Sequence, residues 1–185
     1  MKEKFNRKNT IIGVIFYLII IGLFGTFRIK LIFDIIEFPT DDLTNFSAYF
    51  SLLTGILISC LILIIIIYIC YTLNDVLINR LTDIHFFMGV IFSIFFLILG
   101  EIAKFVYVQT YLKTSLIENK NNMNLLNMLI NSDFKKICES TDYITYFCVS
   151  LTFLTVTISS KKIFGSILIS FSFGILLFLA KFFLK

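Results

Sequence analysis

Two charged residues inside an otherwise apolar run have the types and spacing that most invite chemistry. Glu101 and Lys104 stand three residues apart in ILGEIAKFVYV, so on a helix they share one face and can neutralise each other. Isolated charges are costly in an apolar medium, and an ionisable pair at membrane depth is by default a candidate functional site. About 20 helical residues starting from Ile84 cross the hydrocarbon core, which puts this pair near the far interface. There snorkelling and an interfacial ion pair are the favoured reading, and a cavity-facing pair is the alternative.

The remaining reactive side chains are scattered. The single histidine, His85, opens an apolar run beside Asp83, where it is expected to be hydrated or hydrogen-bonded to that carboxylate. One histidine cannot build a multi-histidine metal centre. The four cysteines are isolated, with Cys60 and Cys70 inside one apolar run, Cys138 in a loop and Cys148 early in another run. No CxxC pair occurs, so they read as small apolar packers rather than redox groups or metal ligands. Asp34 and Glu37 share a helical face, and Asp41 with Asp42 follows Pro39, yet no calcium-loop spacing is present. The motifs EExxxR, GxSxG, HExxH and a phosphate loop are all missing. No catalysis, cofactor or metal is expected.

The elements that must position these residues follow from the solvent. The chain has 185 residues, of which 58% are hydrophobic and only 15% charged, with a mean hydropathy of +0.96. That is too apolar for a water-soluble domain, so the bilayer is the expected partner. The apolar residues come as separate runs, which predict an all-α polytopic transmembrane bundle, a single domain of five spans over about 10–27, 47–72, 84–108, 143–160 and 163–183. A short interfacial helix is expected over about 31–38, ended by Pro39, and a polar loop over 109–141. Within that loop Leu125, Leu126, Met128, Leu129 and Ile130 form an apolar cluster, the candidate partner surface. Thr54, Gly55 and Ser59 form a candidate helix-contact stripe, and Gly13, Gly22, Gly55, Gly89, Gly100, Gly165 and Gly174 read as packing points.

Charge sets the expected orientation. Lys2, Lys4, Arg7 and Lys8 precede the first run, which no small-residue cleavage site follows, so a retained anchor with a cytoplasmic amino terminus is expected. Five spans then place the carboxyl terminus outside and Lys161 with Lys162 on the cytoplasmic side of a tight hairpin. Counted over all segments, seven basic residues face the cytoplasm and eight face out, so the first helix decides. The net charge of +4 is dispersed, without the arginine clusters that nucleic acid requires, and no nucleic-acid partner is expected.

The stretches YICYTLNDVLINRLTDIHFFMGVIFSIFF and FLTVTISSKKIFGSILISFSFGILL resemble the second helix, short link and third helix, and the closing hairpin, of the Yip family. Together they cover under half of the chain. The prolines common in helices of that family are missing here, and the amino-terminal tail has only about ten residues. The resemblance implies five helices, a cytoplasmic amino terminus, no catalysis and, in bacteria, a role as an accessory or assembly factor beside an ABC-type exporter. The expected function is therefore a non-enzymatic membrane adaptor packing against another membrane protein. A membrane subunit of a small-molecule permease, or a toxin-immunity membrane protein, is the alternative.

Overall fold

In a computed structural model, the described residues are 2–36, 42–77, 80–114 and 133–183. They form five long helices and no strand: α1 (Lys2–Ile36), α2 (Asp42–Val76), α3 (Asp83–Tyr107), α4 (Asp133–Ile158) and α5 (Ile163–Phe183). Each contains a segment long and apolar enough to cross a membrane: Lys8–Leu31, Phe46–Val76, Asp83–Tyr111, Lys136–Ile158 and Ile163–Phe182. The protein is thus an all-α five-helix bundle with the build of a multi-pass membrane protein.

The main helix contacts close a ring, α1 to α3, α3 to α4, α4 to α5, α5 to α2 and α2 back to α1. Helices α1 and α3 run parallel, because Gly13 meets Ile94 while Phe24 stacks on Phe105 at 4.5 Å. Helices α3 and α4 run antiparallel, with Gly89 against Phe153 and Gly100 against Thr145. A β-carbon at Gly100 would lie 2.5 Å from the Thr145 hydroxyl, so only glycine lets these backbones approach. At the α4–α5 seam Ser150 and Ser170 each donate to the other's backbone carbonyl, and Gly174 makes room for Ser150. Apolar solvent cannot pull helices together, so close contacts of this kind must hold the bundle.

The core lies toward the end where α2 meets α3 and α4 meets α5. Phe86, Phe153 and Phe173 are fully buried there, with ring centroids 5.8 and 5.6 Å apart in succession. At this end Asn74 is buried and ties down the α2–α3 link: its amide nitrogen donates to the Leu81 carbonyl at 3.0 Å and its oxygen accepts from the Leu81 N–H at 2.8 Å. The α4–α5 hairpin turns over Ser159–Lys162 as expected, with Lys161 at a φ of 60°. Outer faces carry exposed Phe16, Leu57, Leu61, Phe147 and Phe171, the side chains a lipid solvent accommodates.

Several boundaries differ from those expected. Residues 31–36 do not form a separate interfacial helix but continue α1, because nothing between Phe27 and Ile36 breaks a helix. Helix persists beyond residue 109 as a π-helical stretch, Val108–Leu112, and Asp133–Ile158 is helical, so both described ends of the segment expected as a loop over 109–141 belong to helices. Cys138 therefore lies on α4 rather than in a loop. The cluster Leu125, Leu126, Met128, Leu129 and Ile130 lies outside the described residues, as does Pro39.

Candidate functional site: a charged cavity ringed by five helices

Glu101 sits eighteen residues beyond Asp83, Lys181 eighteen beyond Ile163 and Asp142 sixteen before Ile158. At 1.5 Å per residue all three rise about 24–27 Å from the hairpin end, one level near the far edge of the roughly 30 Å hydrocarbon core. At this level the charges connect. Lys104 donates to Glu101 at 2.5 Å and to Asp142 Oδ1 at 2.9 Å, while Lys181 donates to Asp142 Oδ2 at 2.6 Å. The order Glu101, Lys104, Asp142, Lys181 alternates in sign and sums to zero. It links α3, α4 and α5 by charge-assisted bonds, the strongest kind of hydrogen bond available to side chains.

Asp142 is the hinge of this chain. Its side chain is only 9% exposed, against 20% for Lys104 and 32% for Lys181, so the carboxylate is the group that most needs its partners. Glu101 and Lys104, expected as a pair, are joined as expected, but they do not stand alone. They line a cavity of 580 Å³ to which all five helices contribute.

The wall is graded. Ile21, Ile62, Leu63, Leu97 and Leu177 supply an apolar depth, and Arg28, Glu101, Lys104, Glu139, Asp142 and Lys181 supply a charged rim. Ser59, Tyr17 and Tyr146 add hydroxyls, and neither tyrosine hydroxyl makes a hydrogen bond to another described side chain. A second lobe of 180 Å³ shares Ile21, Arg28, Glu101, Lys104, Cys138, Asp142 and Lys181 with the first and reaches Phe24, Leu52 and Phe105. Its volume and mixed lining put the cavity in the range of small-molecule sites, which run roughly 300–1,000 Å³.

Asp142, Lys181 and Arg28 were not singled out from the sequence. The signal for Asp142 was length: counting about 20 residues back from Ile158 reaches Glu139, which places Asp142 inside the span instead of before it. The stripe Thr54, Gly55 and Ser59 is divided. Ser59 lines the cavity and Thr54 bonds back to the Ser51 carbonyl, whereas Gly55 is exposed with nothing within 4 Å of a β-carbon placed on it. Of the two surroundings expected for His85, the bond to Asp83 is not made. The His85 Nδ1 lies 2.7 Å from the Thr82 hydroxyl, and Asp83 instead takes long hydrogen bonds of 3.4 Å from the Tyr71 hydroxyl. The four cysteines are all free thiols. Among the described residues no group of three His, Cys, Asp or Glu is arranged to hold a metal ion.

Comparison with known proteins returned no match to a family model, to a curated protein or to a solved structure.

Proposed function

We propose that the protein is a non-enzymatic membrane subunit that holds a small molecule in the five-helix cavity and serves a small-molecule permease. The observation that carries this reading is the cavity itself, where Glu101 and Lys104 line a volume shared by every helix. A pair meant only to satisfy the interface needs no such enclosure. The ligand is held without covalent chemistry: the rim offers charges of both signs and the depth offers apolar surface. With the amino-terminal cluster Lys2, Lys4, Arg7 and Lys8 cytoplasmic, the cavity opens on the outer side of the cell membrane.

The test is a thermal-stability screen of purified protein against polar and amphiphilic small molecules, repeated with Ala180→Phe, which fills the cavity wall. A ligand at a hundred times its Kd stabilises by about 2.7 kcal/mol, or roughly 5–10 °C for a chain of this size. The expected result is a stabilising compound whose effect Ala180→Phe abolishes. Compounds that shift both proteins equally, or none that shifts either, would sink the reading.

A second reading is the adaptor that packs against another membrane protein, with an ABC-type exporter as the candidate partner. It is favoured by Gly55, the glycine on α2 with open space before it, since small residues on a lipid-facing surface suit close helix approach. A native pull-down that recovers a stoichiometric membrane protein with the wild type, and loses it with Gly55→Leu, is the expected result for an adaptor. Recovery of the lone chain removes that reading.

A further inference from the structure

We infer that the cavity takes a single-headed anionic amphiphile, with Arg28 as the residue that recognises the head. The inference rests on the binding-subunit reading above and names the class of its ligand. It starts from which charges are already spent. Asp142 has one oxygen committed to Lys104 and the other to Lys181, and Lys104 is divided between Asp142 and Glu101. Glu139 also has a partner. Arg28 lines both lobes, is exposed and makes no hydrogen bond or ion pair with a described side chain.

The smaller lobe has three cationic side chains, Arg28, Lys104 and Lys181, against two carboxylates, Glu101 and Asp142, whereas the larger lobe adds Glu139 and is neutral. The uncommitted group is therefore a guanidinium. A guanidinium presents a planar fork of donors that fits a carboxylate or a phosphate bidentately. Lys181 spends one of its donors on Asp142 and keeps others for the same anion. A cationic head would meet Arg28 in the smaller lobe, and the carboxylates that would attract it already have partners: Glu101 and Asp142 are held by Lys104 and Lys181, and Glu139 has one of its own.

The rest of the ligand is set by the other wall. Below the rim the cavity is closed by Ile21, Ile62, Leu63, Leu97 and Leu177, a lining in which an alkyl chain loses its contact with water and a second charge would be stranded. Head at the rim and tail in the depth also match the level of the site, near the edge of the hydrocarbon core. The shared chemistry is one anionic head on an apolar acyl tail, whether supplied as a free long-chain acid or by an anionic lipid of the bilayer.

The experiment titrates spin-labelled myristate into the full-length protein in phosphatidylcholine nanodiscs and repeats it with Arg28→Gln, Arg28→Lys and, as a control at the opposite end of the bundle, Arg80→Gln. The expected result is a loss of affinity of at least tenfold for Arg28→Gln, a smaller loss for Arg28→Lys, which keeps the charge without the fork, and wild-type affinity for Arg80→Gln. Unlabelled myristate should compete, while acetate and dodecyltrimethylammonium should not. Adding phosphatidylglycerol to the nanodiscs separates the sources: displacement of the label identifies the bilayer lipid as a ligand, and undisturbed binding identifies the free acid. Equal affinity of Arg28→Gln and wild type overturns the inference, as does equal competition by the cationic amphiphile or by acetate. If myristate does not bind but another compound stabilises the wild type and not Ala180→Phe, the ligand class is wrong and the binding-subunit reading survives. If nothing binds, both fall.

Discussion

Asp142 receives two lysines from two different helices, and removing its charge leaves both cations facing a site of low polarity. Breaking a buried pair by deleting one partner costs about 3–5 kcal/mol, and the partial exposure of Lys181 puts Asp142→Asn near the lower end. Glu101→Gln removes a partner from Lys104 alone, which Asp142 still neutralises, so a cost of about 1 kcal/mol is expected. Chemical unfolding in mild detergent checks both, and a larger loss for Glu101→Gln than for Asp142→Asn would contradict the hinge role of Asp142. At this scale the sequence was half legible. Glu101 and Lys104 announced themselves by sharing one helix, whereas Asp142 and Lys181 reach the same point from separate helices. Only the packing of α3 against α4 and α4 against α5 could bring them together.

Glycines sort the helices by how they are used. At Gly100 a methyl group would collide with Thr145 across the α3–α4 seam, so Gly100→Ala should cost about 1–3 kcal/mol through overpacking. Gly55 faces open space, and Gly55→Ala should leave the isolated protein unchanged or stabilise it by up to about 1 kcal/mol through helix propensity. Unfolding curves of the two variants side by side make the comparison. Asn74→Ala removes both bonds to Leu81 and leaves buried backbone groups of the α2–α3 link without partners, for a loss of about 1–3 kcal/mol in the same assay. The helices themselves were largely legible, since five apolar runs are visible without any packing information. Their ends were not, because polar residues such as those at 109–114 and 133–141 read as loop by composition yet extend helices already nucleated by their apolar neighbours.

Across the whole molecule, ring closure decides which surfaces enclose and which face lipid. Helix α3 is the most enclosed, with 44% of its span buried, and α2 the least, with 11%, so α2 is the element with most surface left for lipid or a partner. The proposed orientation predicts that Ser160→Cys, placed in the α4–α5 turn of a variant lacking the native cysteines, is shielded from an impermeant thiol reagent applied to intact cells. Lys113→Cys, near the opposite end, should be labelled. The reverse pattern would place the cavity mouth on the cytoplasmic side. The number of spans could be read from the chain, but the cavity could not, since it exists only between helices distant in sequence.

The order in which those charges leave the ribosome follows from the same arrangement. Helix α3 is synthesised before α4 and α5, so Lys104 leaves the ribosome ahead of Asp142 by 38 residues. Glu101, one turn away, is already present to neutralise it. The helix thus carries a temporary counter-ion of its own. When α4 arrives, Asp142 meets a lysine waiting at the correct depth, and Lys181 completes the set only as the last helix inserts. The i,i+3 pair is in this sense a chaperone built into α3, bridging the interval between translation of one charge and translation of its lasting partner.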